Sequence, residues 1–220
     1  MLPMTPERFA RLRAVLDRRQ PDLTVLADFV HKPHNISAII RSCDAFGVAD
    51  VHLAMAESDR SSFRASKAAA QGAEKWVNVT LHEHISDSIG ALQGDGYQVC
   101  AAHLSERARP YREIDYTRPT AILLGAEKDG VSAAVAEQVD HHIIVPMVGM
   151  VESFNVSVAA AIILSEAHNQ RRDAGHYDNP RLDPERYATT LFRWAHPKIA
   201  KMLDQRGEPY PALGEDGDIL

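Results

Sequence analysis

Three segments of the chain place polar side chains where a purely structural element would carry apolar or freely solvated ones. The first is His34-Asn35-Ile36-Ser37-Ala38-Ile39-Ile40-Arg41. Read as a helix, it sets Asn35 near the N-terminus, turns Ile36, Ile39 and Ile40 onto one buried stripe, and carries Arg41 two turns in. An arginine on a Ser-Ala-Ile-Ile face suits a structural ion pair with a carboxylate or a functional cation that holds an anion. The second segment, Leu123-Leu124-Gly125-Ala126-Glu127-Lys128-Asp129-Gly130, reads as a strand that stops at Gly125 and turns with the Glu127 carboxylate at its tip. A glycine there lets a ligand approach the backbone closely, although an acidic turn between strand and helix is also common on structural grounds alone. The third runs from Val145 to Ser157 and is an apolar loop rich in Met and Val. Such a loop is either buried by tertiary contacts or wraps something flat and apolar, such as a base whose edge its free N–H groups could read. Ser153 and Asn155 stand where helix caps stand, so capping competes with a functional role at both.

Several chemistries are excluded by what is missing. There is no G-x-G-x-x-G after the first strand, no G-x-x-x-x-G-K-[ST] and no G-x-S-x-G elbow, which removes the dehydrogenase, P-loop and serine-hydrolase readings. The eleven histidines include His31-x-x-His34, His82-x-His84 and His141-His142, but no set with zinc-ligand spacing forms beside Cys, Asp or Glu, and no metal is expected. Cys43 and Cys100, the two cysteines, read as reduced, buried thiols.

The elements that must position these side chains follow from the periodicity. Short apolar runs alternate with helical stretches from Leu23 to Asp173, the pattern of an α/β domain on a mostly parallel sheet flanked by helices. Strands are expected at 23–30, 50–55, 76–80, 97–103, 120–124 and 142–146, and helices near 35–46, 64–72, 84–93, 132–139 and 155–173. The last helix is apolar nearly all round from Val156 to Ile163, which fits either a dimer interface or a buried core helix.

Short helical extensions flank this domain. Thr5-Pro6 starts a helix expected to run to Gln20. Phe9, Leu12 and Leu16 form its anchoring stripe, beside a basic face of Arg8, Arg11, Arg18 and Arg19. After a linker around Gly175 and Asn179-Pro180, Asp183-Pro184 opens a segment that interleaves Arg186, Arg193, Lys198, Lys201 and Arg206 with Tyr187, Phe192 and Trp194. These local patches are candidate nucleic-acid contacts in a chain that is acidic as a whole, with 24 Lys+Arg against 30 Asp+Glu and a net charge of -6. The domains are therefore expected at 1–20, 21–177 and 178–220. With 220 residues, 45% hydrophobic, the chain is long enough for one principal core. It has no membrane-spanning run, and a cytoplasmic protein is expected.

Taken in order, the three segments resemble the signature motifs of the SPOUT superfamily of RNA methyltransferases, in particular the TrmH-type tRNA guanosine-2'-O-methyltransferases. The similarity extends through Arg19-Gln20-Pro21-Asp22-Leu23, His31-Lys32-Pro33-His34-Asn35, Arg112-Glu113-Ile114-Asp115-Tyr116 and Leu191-Phe192-Arg193-Trp194. It implies a sheet whose C-terminal part is threaded as a deep trefoil knot, binding of S-adenosylmethionine, a homodimer, and tRNA held by the basic end helices. It implies a catalytic set of Asn35, Arg41, Glu127, Ser153 and Asn155. The cofactor would lie against main-chain groups around Ala102, Leu124, Gly125, Val145, Met147, Gly149 and Phe154, and RNA against Arg8, Arg11, Arg19, Arg193, Lys198 and Lys201. Phe154 and Ala126 depart from the Leu and Gln usual in the family, at positions that could serve through the backbone. The expected reaction is methylation of a ribose 2'-hydroxyl, at guanosine 18 of the tRNA D-loop. A ribosomal-RNA 2'-O-methyltransferase and a non-catalytic RNA-binding protein are the alternatives.

Overall fold

Residues 4–56, 73–126 and 129–220 are described by the computed structural model of the chain. The helix expected at 64–72 lies outside them, as do Glu127 and Lys128.

Residues 21–175 form one compact unit, and a seven-stranded sheet whose first strand starts at Gln20 runs in the order β3-β2-β1-β6-β4-β7-β5. The strands are β1 (Gln20–Asp28), β2 (Val48–Ala54), β3 (Asn78–His82), β4 (Gln98–Ala102), β5 (Arg109–Pro110), β6 (Thr120–Leu124) and β7 (His141–Ile144). Their registers are parallel, with Ala27 opposite Leu124, Cys100 opposite Ile122 and Ala102 opposite Ile143. The C-terminal ends of β1, β6, β4 and β7 therefore lie side by side.

Near-continuous apolar strands mark a parallel sheet covered on both faces, and their period of two divides the core. Val25, Ala27, Cys100, Ile122, Leu124 and Ile143 face α2 (Pro33–Ala45) and the long helix α5 (Val156–Asp173). Leu26, Val99, Ala101, Ala121 and Leu123 face α3 (Ile85–Gly94) and the one-turn helix α4 (Ala133–Ala136).

The expected elements shift at their ends. The strand expected at 76–80 forms at Asn78–His82, and the helix expected over 132–139 keeps a single turn, capped by Ser132 accepting from the Val135 amide. The two-residue strand β5 carried no periodic signal because two residues are too few to show one.

α5 is fastened to the sheet by a buried arginine. Arg171 is fully buried; it donates from Nε to the Tyr116 carbonyl at 2.8 Å and from Nη1 to Asp22 Oδ1 at 2.6 Å. Its Nη2 donates to the carbonyls of Asp22 and Arg118, both at 3.0 Å. The guanidinium thus replaces lost water with one charge and three carbonyls.

Residues 1–20 and 176–220 form one compact unit. α1 (Pro6–Leu16) begins with Thr5 accepting from the Arg8 amide and buries Phe9, Leu12 and Leu16. It stops four residues before the expected end, because Arg18 and Arg19 bond back to the Val15 and Leu16 carbonyls in tight turns and the chain then turns inward. The C-terminal basic segment is two helices, α6 (Pro184–Ala195) and α7 (Pro197–Arg206), because Pro197 lacks the N–H a continuous helix needs and starts a new one. α1 packs against α6, and Tyr187 Oη donates to Asp17 Oδ1 at 2.6 Å. Gly217 (φ 86°) lies so close to Phe9 that an added Cβ would sit 2.5 Å from the ring.

Candidate active site

Asn35 enters from the first turn of α2. Pro33 starts this helix, and Ile36, Ile39, Ile40 and Cys43 bury one face of it. That burial fixes the rotation of the helix, leaving Asn35 buried at 2% exposure and Arg41 exposed. Among the described residues no carboxylate lies in salt-bridge range of Arg41.

α5 begins against α2, with Asn155 as its N-cap. Asn155 Oδ1 accepts from the Ser157 amide at 2.9 Å and from the Ser157 hydroxyl at 2.6 Å. Its Nδ2 donates to Asn35 Oδ1 at 3.1 Å, across 120 residues of sequence. The cap engages the side-chain oxygen of Asn155, which leaves the amide nitrogen of the same side chain to reach Asn35.

Gly125 ends β6 in a loop that no other residue fits. An added Cβ would lie 2.2 Å from the Gly130 carbonyl carbon and 2.3 Å from the Val131 amide. The loop closes through mutual main-chain bonds between Ala126 and Gly130, at 3.0 and 2.9 Å.

The loop after β7 is the third wall. Val148 and Met150 are fully exposed, Val151 is 66% and Phe154 39% exposed, and Ser153 and Gly149 are also exposed. Of the two readings of this loop, burial within its own chain fails. Among the described residues, the peptide groups of 147–154 make no main-chain hydrogen bond. No described main-chain group pairs with them, and nothing stands within 4 Å of a Cβ placed on Gly149. Ala102, Val145 and Met147 are half-buried, and Leu124 is buried. These positions lie at or just beyond the aligned ends of β4, β6 and β7, the edge at which open parallel sheets bind ligands.

The candidate RNA contacts belong to the other unit. Arg8 is half-buried; Arg11, Lys198 and Lys201 are exposed. Arg19 is 1% exposed, with its guanidinium carbon 5.3 Å above the Trp194 ring, so it is not on the basic face with Arg8 and Arg11. The early end of α1 is the cause, since Arg19 lies beyond the helix whose periodicity would have turned it outward. Arg193 donates from Nε to the Tyr210 hydroxyl at 2.7 Å and lies 3.4 Å from Asp204 Oδ1.

Two features at this edge had no separate sequence signal. Asp28, the last residue of β1, is 6% exposed, and burial raises its pKa. Phe29 follows with φ 49°, a conformation rarely taken by an aromatic residue. Among the described residues no group of three or more His, Cys, Asp or Glu could hold a metal ion, and no helix is long and apolar enough to cross a membrane.

Residues 22–165 match the SpoU rRNA Methylase family, and residues 169–220 match the SpoU, rRNA methylase, C-terminal family. The tRNA (guanosine(18)-2'-O)-methyltransferase of Escherichia coli K12 is 48% identical over 218 residues, 98% of this chain and 94% of that protein. The crystal structure of the Aquifex aeolicus TrmH/SpoU tRNA modifying enzyme superposes with a TM-score of 0.81 at 40% identity, covering 88% of this chain and 97% of that one. An AdoMet-bound rRNA methyltransferase from Sinorhizobium meliloti superposes with a TM-score of 0.59 at 28% identity, covering 74% of this chain and 60% of that one.

Proposed function

The chain belongs to the SpoU methylase family, and from that premise we propose that it transfers a methyl group from S-adenosylmethionine to the ribose 2'-hydroxyl of guanosine 18 in the tRNA D-loop. The observation that carries this reading is the near full-length similarity, both ends included, to an enzyme named for that reaction. The Asn35–Asn155 bond supports it, since it unites the first and third motifs at the strand edge.

S-adenosylmethionine supplies an electrophilic methyl on a sulfonium. The chain must hold that group and the hydroxyl in line and give the proton a way out. The free peptide groups of 147–154 suit an adenine edge, and the main chain around Ala102, Leu124, Gly125, Val145, Met147, Gly149 and Phe154 forms the grip. Arg41 binds an RNA phosphate and stabilises the developing alkoxide. A guanidinium does not deprotonate in a protein, so the proton leaves through phosphate or water. Asn35 and Ser153 orient Arg41, while Asn155 and Glu127 shape the pocket.

Arg8, Arg11, Lys198 and Lys201 hold the tRNA. Arg193 joins them through the exposed part of its guanidinium, and Arg19 supports that surface from beneath by stacking on Trp194. In the same reading the C-terminal part of the sheet is knotted. The strand order favours this, since β4 is flanked by β6 and β7, which both follow it in the chain. The exposed Val148, Met150, Val151, Phe154 and Val158 form a patch of the kind that a second copy covers, giving a homodimer. A tRNA substrate puts the protein in the cytoplasm.

Methyl transfer from labelled S-adenosylmethionine to unmodified tRNA transcripts tests the reading. Incorporation is expected with guanosine at position 18 and is lost when that base is replaced. Incorporation that survives replacement overturns the site, and incorporation into ribosomal RNA alone overturns the tRNA assignment.

A further inference from the structure

Three residues of the turn that follows β4 converge on one buried imidazole. His142 stands on β7 opposite Ala101 and is 4% exposed. Ser105 Oγ lies 2.6 Å from its Nδ1. Its Nε2 lies 2.9 Å from the Ala136 carbonyl at the end of α4. That carbonyl can only accept, so the tautomer satisfying both partners carries its proton on Nε2 and takes the Ser105 hydroxyl proton at Nδ1. With the proton on Nε2, the ring and Arg107 share one acceptor: Arg107 Nη2 donates to the Ala136 carbonyl at 2.9 Å beside the ring N–H, and Arg107 Nε points at Nδ1 from 3.4 Å. His103 meets the ring edge-on, with centroids 5.0 Å apart.

The turn is closed by the Ala108 amide on the Ser105 carbonyl at 3.1 Å, and its first residue is tied to β7 by the His103 amide on the Ile143 carbonyl at 3.2 Å. Leu104, between two anchored neighbours, is held outward at 74% exposure. This turn leaves the sheet directly after Ala102, where the main chain is assigned above to the cofactor. Solvent-exposed turns ordinarily hold themselves with their own side chains. Here one of those side chains, Ser105, is instead bound to a core residue on the neighbouring strand.

We propose that His142 is a positioning residue for S-adenosylmethionine: by anchoring Ser105, with Arg107 held beside it on the shared Ala136 carbonyl, it presets the turn 103–108 as one wall of the cofactor cleft. The proposal rests on the methyltransferase reading. Without the anchor the turn samples other conformations, and binding must select the competent one, which lowers apparent affinity without altering the bound complex. The effect belongs to cofactor binding rather than to the chemical step.

The test measures KM for S-adenosylmethionine, KM for tRNA, kcat, and the Kd of S-adenosylhomocysteine by calorimetry, with thermal melting beside them. His142→Leu is expected to raise the cofactor KM and the S-adenosylhomocysteine Kd about tenfold, the worth of one or two hydrogen bonds, with kcat and tRNA KM within about twofold. His142→Gln keeps a donor and an acceptor on the side chain and is expected to recover most of the loss. Ser105→Ala removes the hydroxyl without opening the core and is expected to weaken cofactor binding several-fold at unchanged melting temperature, which decides the matter if His142→Leu does not fold. Unchanged cofactor constants in Ser105→Ala and His142→Leu overturn the proposal, as does a loss falling on kcat and tRNA KM instead. A wild-type protein that binds no S-adenosylhomocysteine overturns the methyltransferase reading itself, a separate and distinguishable failure.

Discussion

At Asn155 one side chain does two jobs that substitutions can separate. Asn155→Ala loses the cap, worth about 1 kcal/mol, and removes a partner from buried Asn35, so both stability and kcat are expected to fall. Asn155→Asp keeps an acceptor for the Ser157 amide but cannot donate to Asn35. Because the cap survives, its melting temperature should fall less than that of the alanine variant, while kcat falls as far. Equal kcat in the aspartate variant and wild type would show that the bond to Asn35 serves only the fold. Arg41→Lys keeps the charge and loses the planar fork; kcat is expected to drop about a hundredfold, the usual cost of a lost oxyanion donor. Near-full turnover of the lysine variant in the methyl-transfer assay would sink the assigned role. These residues were legible in the sequence because an arginine and two asparagines interrupt otherwise apolar stretches. Their partnership was not, since nothing local links positions 120 residues apart.

The fastening of α5 and the outer edge of the sheet give predictions of another kind. Arg171 appears in the sequence as one of two basic residues closing a helix, where the helix dipole alone would explain it. The fold buries it completely. Arg171→Met is expected to cost about 3–5 kcal/mol in urea unfolding, because Asp22 and three carbonyls lose their donor together. A loss below about 1 kcal/mol, the usual worth of a surface ion pair, would mean that water replaces the guanidinium. On β2 and β3, His52 Nδ1 lies 2.9 Å from His82 Nε2, and Ser88 Oγ lies 3.1 Å from His82 Nδ1. Burial, and next the neighbouring His82, hold the His52 pKa below its ordinary value, with Asp50 opposing them. An unfolded histidine takes up its proton as pH falls through about 6.5, whereas folded His52 resists until lower pH. Stability is therefore complete above that range and is lost as pH falls through the folded pKa. The urea midpoint is expected to be lower at pH 5.5 than at pH 7.5, and His52→Gln to lessen the difference. A midpoint difference identical in wild type and variant would rule this pair out as its source. The element types themselves were readable from periodicity. Their ends were set by single atoms, such as the missing N–H of Pro197, or by where the chain turns inward, as at Arg19.

The molecule as a whole exposes an apolar loop that its own chain leaves uncovered. If a second copy covers it, Val148→Asp with Met150→Asp is expected to halve the mass found by light scattering. An unchanged mass, whether of one chain or two, would place the self-association elsewhere or nowhere. Composition, strand and helix alternation and the order of the three motifs were enough to read an α/β protein of this family, because they depend on local periodicity and on residue types that survive any packing. Tertiary structure alone decided which face of a strand carries His142 into contact with the turn 103–108, and which arginines are committed to the interior. It also brought the chain's two ends into one unit, where Arg19 stacks on Trp194. The physical reason is common to all three. Sequence patterns report how a side chain sits on its own element, whereas burial and hydrogen-bond partnership depend on which distant element closes over it.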